Sequence, residues 1–92
     1  MITNEILTDK QIKDLQELGV SISSEARVSL SDIMHLILSK GCITKLELCD
    51  KGVFVQSGYI WCVREDAMDA MHALLCQLII GEKINPEEVN FK

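Results

Sequence analysis

Residues 44–63, TKLELCDKGVFVQSGYIWCV, decide the fold. Apolar and polar side chains alternate through them with a period of two, the repeat of a β-strand. Two breaks interrupt the alternation. DKG at 50–52 suits a three-residue hairpin loop with Gly52 left-handed, and SG at 57–58 suits a two-residue turn. An antiparallel meander of three strands results. With these loops Cys49 stands opposite Val53, Leu48 opposite Phe54 and Leu46 opposite Gln56. Across the second turn Phe54 stands opposite Trp61, and Val53 opposite Cys62. One face then carries Leu46, Leu48, Phe54, Trp61 and Val63. The other carries Glu47, Cys49, Val53, Val55, Ile60 and Cys62. Both faces read as apolar, so each requires a cover.

Helical periods flank the strands. TDKQIKDLQELG at 8–19 opens with Thr8 and Gln11 spaced as a capping box. Ile12, Leu15 and Leu18 form a narrow apolar stripe, and Gly19 suits the left-handed position after the helix. Residues 20–28 read as an irregular connector with extended character. Ser29 caps a second helix, with Val28 and Ile33 placed as a hydrophobic staple and Gly41 as its stop. A third helix spans about Asp66 to Ile80, stopped by Gly81, with an acidic first turn that suits the positive end of the helix dipole. It is apolar nearly all round, as a central helix or a subunit seam would be. Helices and strands are segregated, so the fold class is α+β in the order α-α-β-β-β-α, with the last helix packed on the sheet. That helix covers one sheet face; the second helix, or a second subunit, is expected on the other.

Ninety-two residues make one domain, 1–92, with 1–7 and 82–92 expected as flexible or loosely packed termini. Ile84, Val89 and Phe91 are the residues that would fold the tail back onto the body. Hydrophobic residues make up 48% of the chain, more than so small a body hides easily, so a second copy of the chain is the expected partner. Nine basic and fourteen acidic residues give a net charge of −5, and the basic ones never form a run. Phosphate backbones repel such a surface, which disfavours nucleic acid. The first residues lack the pattern of a secretory leader, and AMHALLCQLII at 70–80 is too short to cross a bilayer. A cytoplasmic protein without membrane association is expected, its four cysteines reduced.

No residue constellation announces catalysis or a cofactor. Cys49 and Cys62 share a face in the register above, but an intervening strand separates them by roughly 9–10 Å, too far for a disulfide. No C-x-x-C spacing suggests zinc. His72 and Cys76, four apart, lie on one side of the third helix with Met68 and Ile79, in a stripe flanking the core stripe. Packing or an interface is the expected role of that stripe, against a metal pair. His35 reads as a satisfied core or boundary histidine, with Asp32 three residues before it. Asp66 and Asp69 serve the helix start. Trp61 reads as a core anchor and Tyr59 as partly exposed beside the turn; were both exposed, they would make a binding platform.

LTDKQIKDLQELG at 7–19 and EDAMDAMHALLCQLI at 65–79 resemble small uncharacterised proteins carried by phages and mobile elements of gut bacteria. The resemblance implies no site residues. It implies a protein that binds a host protein, sometimes a defence enzyme, and blocks it.

The expected function is a non-catalytic protein-interaction module, homodimeric, with a small-ligand binder as the alternative. Interface residues are expected at Met68, His72, Cys76, Ile79, Val53, Val55 and Ile60. Contacts to a partner or ligand are expected at Tyr59, Trp61, Glu47 and Asp50.

Overall fold

The computed structural model describes residues 6–23, 25–42 and 44–91. Helix α1 (Asp9–Glu17) begins at Thr8, whose hydroxyl accepts from the Gln11 amide while the Gln11 side chain returns a bond to Thr8. It ends in a Schellman turn: Val20 N–H donates to the Leu15 carbonyl, Gly19 N–H donates to that of Gln16, and Gly19 takes a φ of 102°. Helix α2 (Leu30–Ser39) repeats the device, with a capping box between Ser29 and Asp32 and a left-handed Gly41. Val28 and Ile33, the staple pair, are both buried.

The strands β2 (Lys45–Cys49), β3 (Gly52–Ser57) and β4 (Ile60–Arg64) form the meander in that spatial order. Helix α3 (Ala67–Ile80) starts at an Asp66 cap and packs on β3 and β4. The expected class, α+β with the order α-α-β-β-β-α, is the observed one. Leu15, Ile33, Ile37, Met71, Leu74, Leu75, Leu78, Val55 and Val89 fill the interior. The helix α2 packs on α3 and not on the sheet's other side, so the chain is layered as outer helices, central helix, sheet.

Two expectations are corrected here. The β2–β3 register pairs Cys49 with Gly52 and Leu46 with Val55, so the loop holds only Asp50 and Lys51. A slip of one residue reverses every side chain of a strand. Leu46 and Leu48 therefore lie on the helix side with Val53, Val55 and Cys62, while Lys45, Glu47 and Cys49 share the open side with Phe54, Gln56, Trp61 and Val63. Cys49 and Cys62 are on opposite faces, and all four cysteines are free thiols. The β3–β4 turn is Gly58–Tyr59, with Gly58 at φ 64°; its register is two residues from expectation, which leaves the faces of those strands unchanged.

Residues 82–91 are not loosely packed. Ile84 and Val89 are buried, and β5 (Asn90–Phe91) pairs in parallel with β1 (Ser21–Ile22). A short 3-10 turn at Pro86–Glu88 aims the chain into that pairing. Apolar side chains at 84, 89 and 91 hold the segment against the helices. At the other end Leu7 is buried and Ile6 bridges Ser29, while 1–5 of the expected loose terminus lie outside the described residues.

Candidate functional site

The open side of the sheet is the largest departure from a closed core. Alternation along β3 and β4 sends Val53, Val55, Ser57 and Cys62 inward, where they are buried. It sends Phe54, Trp61 and Val63 outward. Phe54 and Trp61 lie diagonally across the two strands and stack, with centroids 6.0 Å apart and planes inclined by 27°. Trp61 is nonetheless 60% exposed, so the sequence expectation of a core anchor is corrected: no described element lies over it. Phe54 and Val63 are half-buried beside it. Tyr59, fully exposed, stands at the tip of the β3–β4 turn, where the Gln56 side chain donates to the Gly58 carbonyl at 2.8 Å. On β2 the polar border is a Lys45–Glu47 ion pair at 3.4 Å, with exposed Asp50 in the adjoining loop. Aromatic groups thus occupy the centre of this face and charged groups its border.

The four expected contact residues, Tyr59, Trp61, Glu47 and Asp50, are all exposed on this hairpin region. The expected interface set divides differently. Val53, Val55, Met68 and Ile79 are buried within one chain and have almost no surface to offer a partner. His72, Cys76 and Ile60 are half-buried. The exposed edge leucines Leu46 and Leu48 were not among the expected contacts. Both lie on the helix side of β2, but that strand reaches past the cover α3 provides, and Leu48 is 83% exposed. His35 is exposed, not a core or boundary residue, because its position on α2 faces away from α3; Asp32 is engaged with the Ser29 amide.

His72 and Cys76 come together with α1. The Gln11 carbonyl is 3.1 Å from His72 Nε2, and Cys76 Sγ is 3.6 Å from the same nitrogen. A carbonyl only accepts, so Nε2 carries the proton and donates it to Gln11. That nitrogen is then no base for the thiol. Burial holds the imidazole below its ordinary value of 6.5, against the opposing pull of the Gln11 carbonyl and the Asp14 and Asp69 carboxylates. Burial, with Asp14 and Cys62 acting in the same direction, pushes the Cys76 thiol up to about 11. A neutral imidazole beside a neutral thiol is a packed polar contact and not an activated nucleophile. Among the described residues, no three His, Cys, Asp or Glu side chains are grouped so as to hold a metal ion. No described helix is long and apolar enough to cross a membrane.

A concavity of about 430 Å³ lies between the end of α2 and the β3–β4 tip, lined by Cys42, Ser57, Tyr59, Ile60, Leu78 and Lys83. Comparison with protein-family models, with curated proteins and with solved structures finds no match for this chain.

Proposed function

We propose that this chain is a non-catalytic protein-interaction module that acts as a homodimer and docks a partner protein on the open face of its sheet. The observation that carries the reading is the Phe54–Trp61 stack, with Trp61 exposed and Val63 opposite Phe54. Aromatic side chains held in place lose little conformational freedom on binding and bury large areas, which is why they dominate binding energies. The net charge of −5, with Glu47 and Asp50 at the border of the patch, favours a basic partner surface. The protonated Nε2 of His72 and the neutral Cys76 thiol support a role without catalysis. The resemblance to mobile-element proteins suggests that docking blocks a host protein.

The test is affinity capture from a bacterial lysate with the wild type beside Trp61→Ala and Tyr59→Ala. Both positions are exposed, so the variants fold. A protein held by the wild type and released by both variants supports the reading. Identical captures from all three would sink it.

A small-ligand binder is the second reading, favoured by the 430 Å³ concavity with its largely apolar lining. A thermal-shift screen against nucleotides and small apolar acids decides it: a ligand present at 100 times its Kd adds about 2.7 kcal/mol. No shift with any compound removes this reading.

A further inference from the structure

We propose that two copies associate through the free edge of β4, strand against strand across a two-fold axis, to make one six-stranded sheet. The two-residue turn at Gly58–Tyr59 makes Ser57 and Ile60 a hydrogen-bonded pair. Alternation of narrow and wide pairs then engages Cys62 and Arg64 with β3 as well. Trp61 and Val63 are left with their N–H and C=O groups pointing away from the sheet. Among the described residues, the Trp61 groups and the Val63 N–H have no protein partner, and the Val63 carbonyl is held only by the exposed Arg64 guanidinium at 2.8 Å. A groove of about 500 Å³ runs below this edge, lined by the β4 residues and Gln77 of α3.

One antiparallel register satisfies all of these groups. It pairs Trp61 with the partner's Val63 and Val63 with the partner's Trp61, giving four new backbone bonds, and sets Cys62 on the axis. Each strand is then paired over its full length, from 60 to 64. The same register sets Arg64 opposite the partner's Ile60.

That placement carries the choice of a second copy over another strand. The Cδ1 atom of Ile60 is 3.7 Å from the position a Cβ on Gly81 would take, so Ile60 marks the C-terminal end of α3. That end bears the negative pole of the helix, has no basic residue in its last turn, and is followed by the exposed Glu82 and Lys83. Within its own chain Arg64 lies near the start of α3, in a groove it lines with Asp14 and Asp69. Association brings each guanidinium to the negative pole of its partner's α3. On the open side, the two aromatic stacks become one continuous strip.

This surface gives the homodimer proposed above its location; it uses the backbone of Trp61 and Val63 and leaves their side chains on the partner-binding face. Size-exclusion chromatography with light scattering on the full chain tests it. The wild type is expected to elute at twice the chain mass at micromolar concentration. Val63→Pro removes an outward N–H without disturbing β3, and is expected to give a folded monomer by circular dichroism. Leu48→Pro, the same change on the opposite edge, is expected to leave the dimer. Arg64→Glu is expected to lose the dimer, and Arg64→Glu with Glu82→Lys to regain it. If Val63→Pro does not fold, the Arg64 and Glu82 pair decides. A monomeric wild type, a dimer that survives Val63→Pro, or a dimer indifferent to Arg64→Glu would overturn the proposal. Loss of partner capture with the dimer intact would count against the docking face alone.

Discussion

Gln11 Nε2 donates to Asp69 Oδ1 at 2.6 Å, joining residues 58 positions apart and tying α1 to the first turn of α3. The same side chain closes the Thr8 capping box and is buried. One residue thus finishes a helix locally and fixes its docking. Gln11→Ala removes both roles and is expected to cost about 2–3 kcal/mol, the sum of a cap and a charge-assisted hydrogen bond. Gln11→Glu sets a carboxylate against Asp69 and is expected to cost more near neutral pH, with part of the loss recovered on mild acidification. Urea unfolding of the three proteins at two pH values measures both.

Gly52 has no room for a side chain. Its φ is 126°, and a Cβ would strike the Arg64 carbonyl oxygen and sit 2.8 Å from the Glu65 Cα. Gly58 shares the positive φ but faces open space. Gly52→Ala is therefore expected to cost about 3 kcal/mol or more, and Gly58→Ala about 1 kcal/mol. A smaller effect at 52 than at 58 in thermal unfolding would contradict the packing described for this corner.

Glu82 holds a φ of 63°, a left-handed conformation that disfavours a side chain. It closes the Schellman turn of α3, donating to the Ile79 carbonyl while Lys83 N–H donates to that of Leu78. Gly81, the residue that signals a helix stop, has a φ of −81° and leaves the strained position to its neighbour. Glu82→Gly is expected to stabilise the chain by about 0.5–1 kcal/mol, a rise of roughly 2–8 °C in Tm for a domain of this size. Calorimetry below the concentration of self-association checks it.

His72 makes stability depend on pH. Its folded value lies below 6.5, so as pH falls past 6.5 the unfolded chain takes up the proton first. The contribution is complete above 6.5 and is lost progressively as pH drops toward the lowered folded value. His72→Gln keeps a donor for the Gln11 carbonyl and removes the titration. The urea midpoint of the variant is expected to fall less than that of the wild type between pH 7 and about pH 5. Parallel curves would show that the imidazole charges as easily folded as unfolded.

The helices were legible because their signals are local. Thr8 with Gln11 and Ser29 before α2 cap as their spacing dictates, Gly19 takes the left-handed position expected of it, and Gly41 and Gly81 end their helices as expected. The sheet was legible in strand number and order, but not in register: β4 is shifted by two residues, which keeps its faces, and β2 by one, which reverses them. DKG reads as three loop residues, whereas Gly52 belongs to the ladder, and that single residue decides whether Leu48 or Glu47 shares a face with Val53. Nor does an alternating pattern say which face receives a helix. Trp61 was expected inside because it is large and apolar, yet its position on β4 points it outward. The β1–β5 pairing carries no local signal, since each strand is two residues long and its partner lies far along the chain.

That last pairing has a kinetic meaning. Ser21 meets Asn90, a separation of 90 − 21 = 69 positions, and the clasp between them is held by few backbone bonds, among them Ser21 N–H to the Val89 carbonyl and Ser23 N–H to that of Phe91. Contacts so distant in sequence form late. On the ribosome, Leu15 and Val20 must wait for Val89 to emerge before the layer around them closes. The seam that shuts last is also the one expected to exchange its amide protons first, which makes it the natural entry point for a protease or an unfoldase.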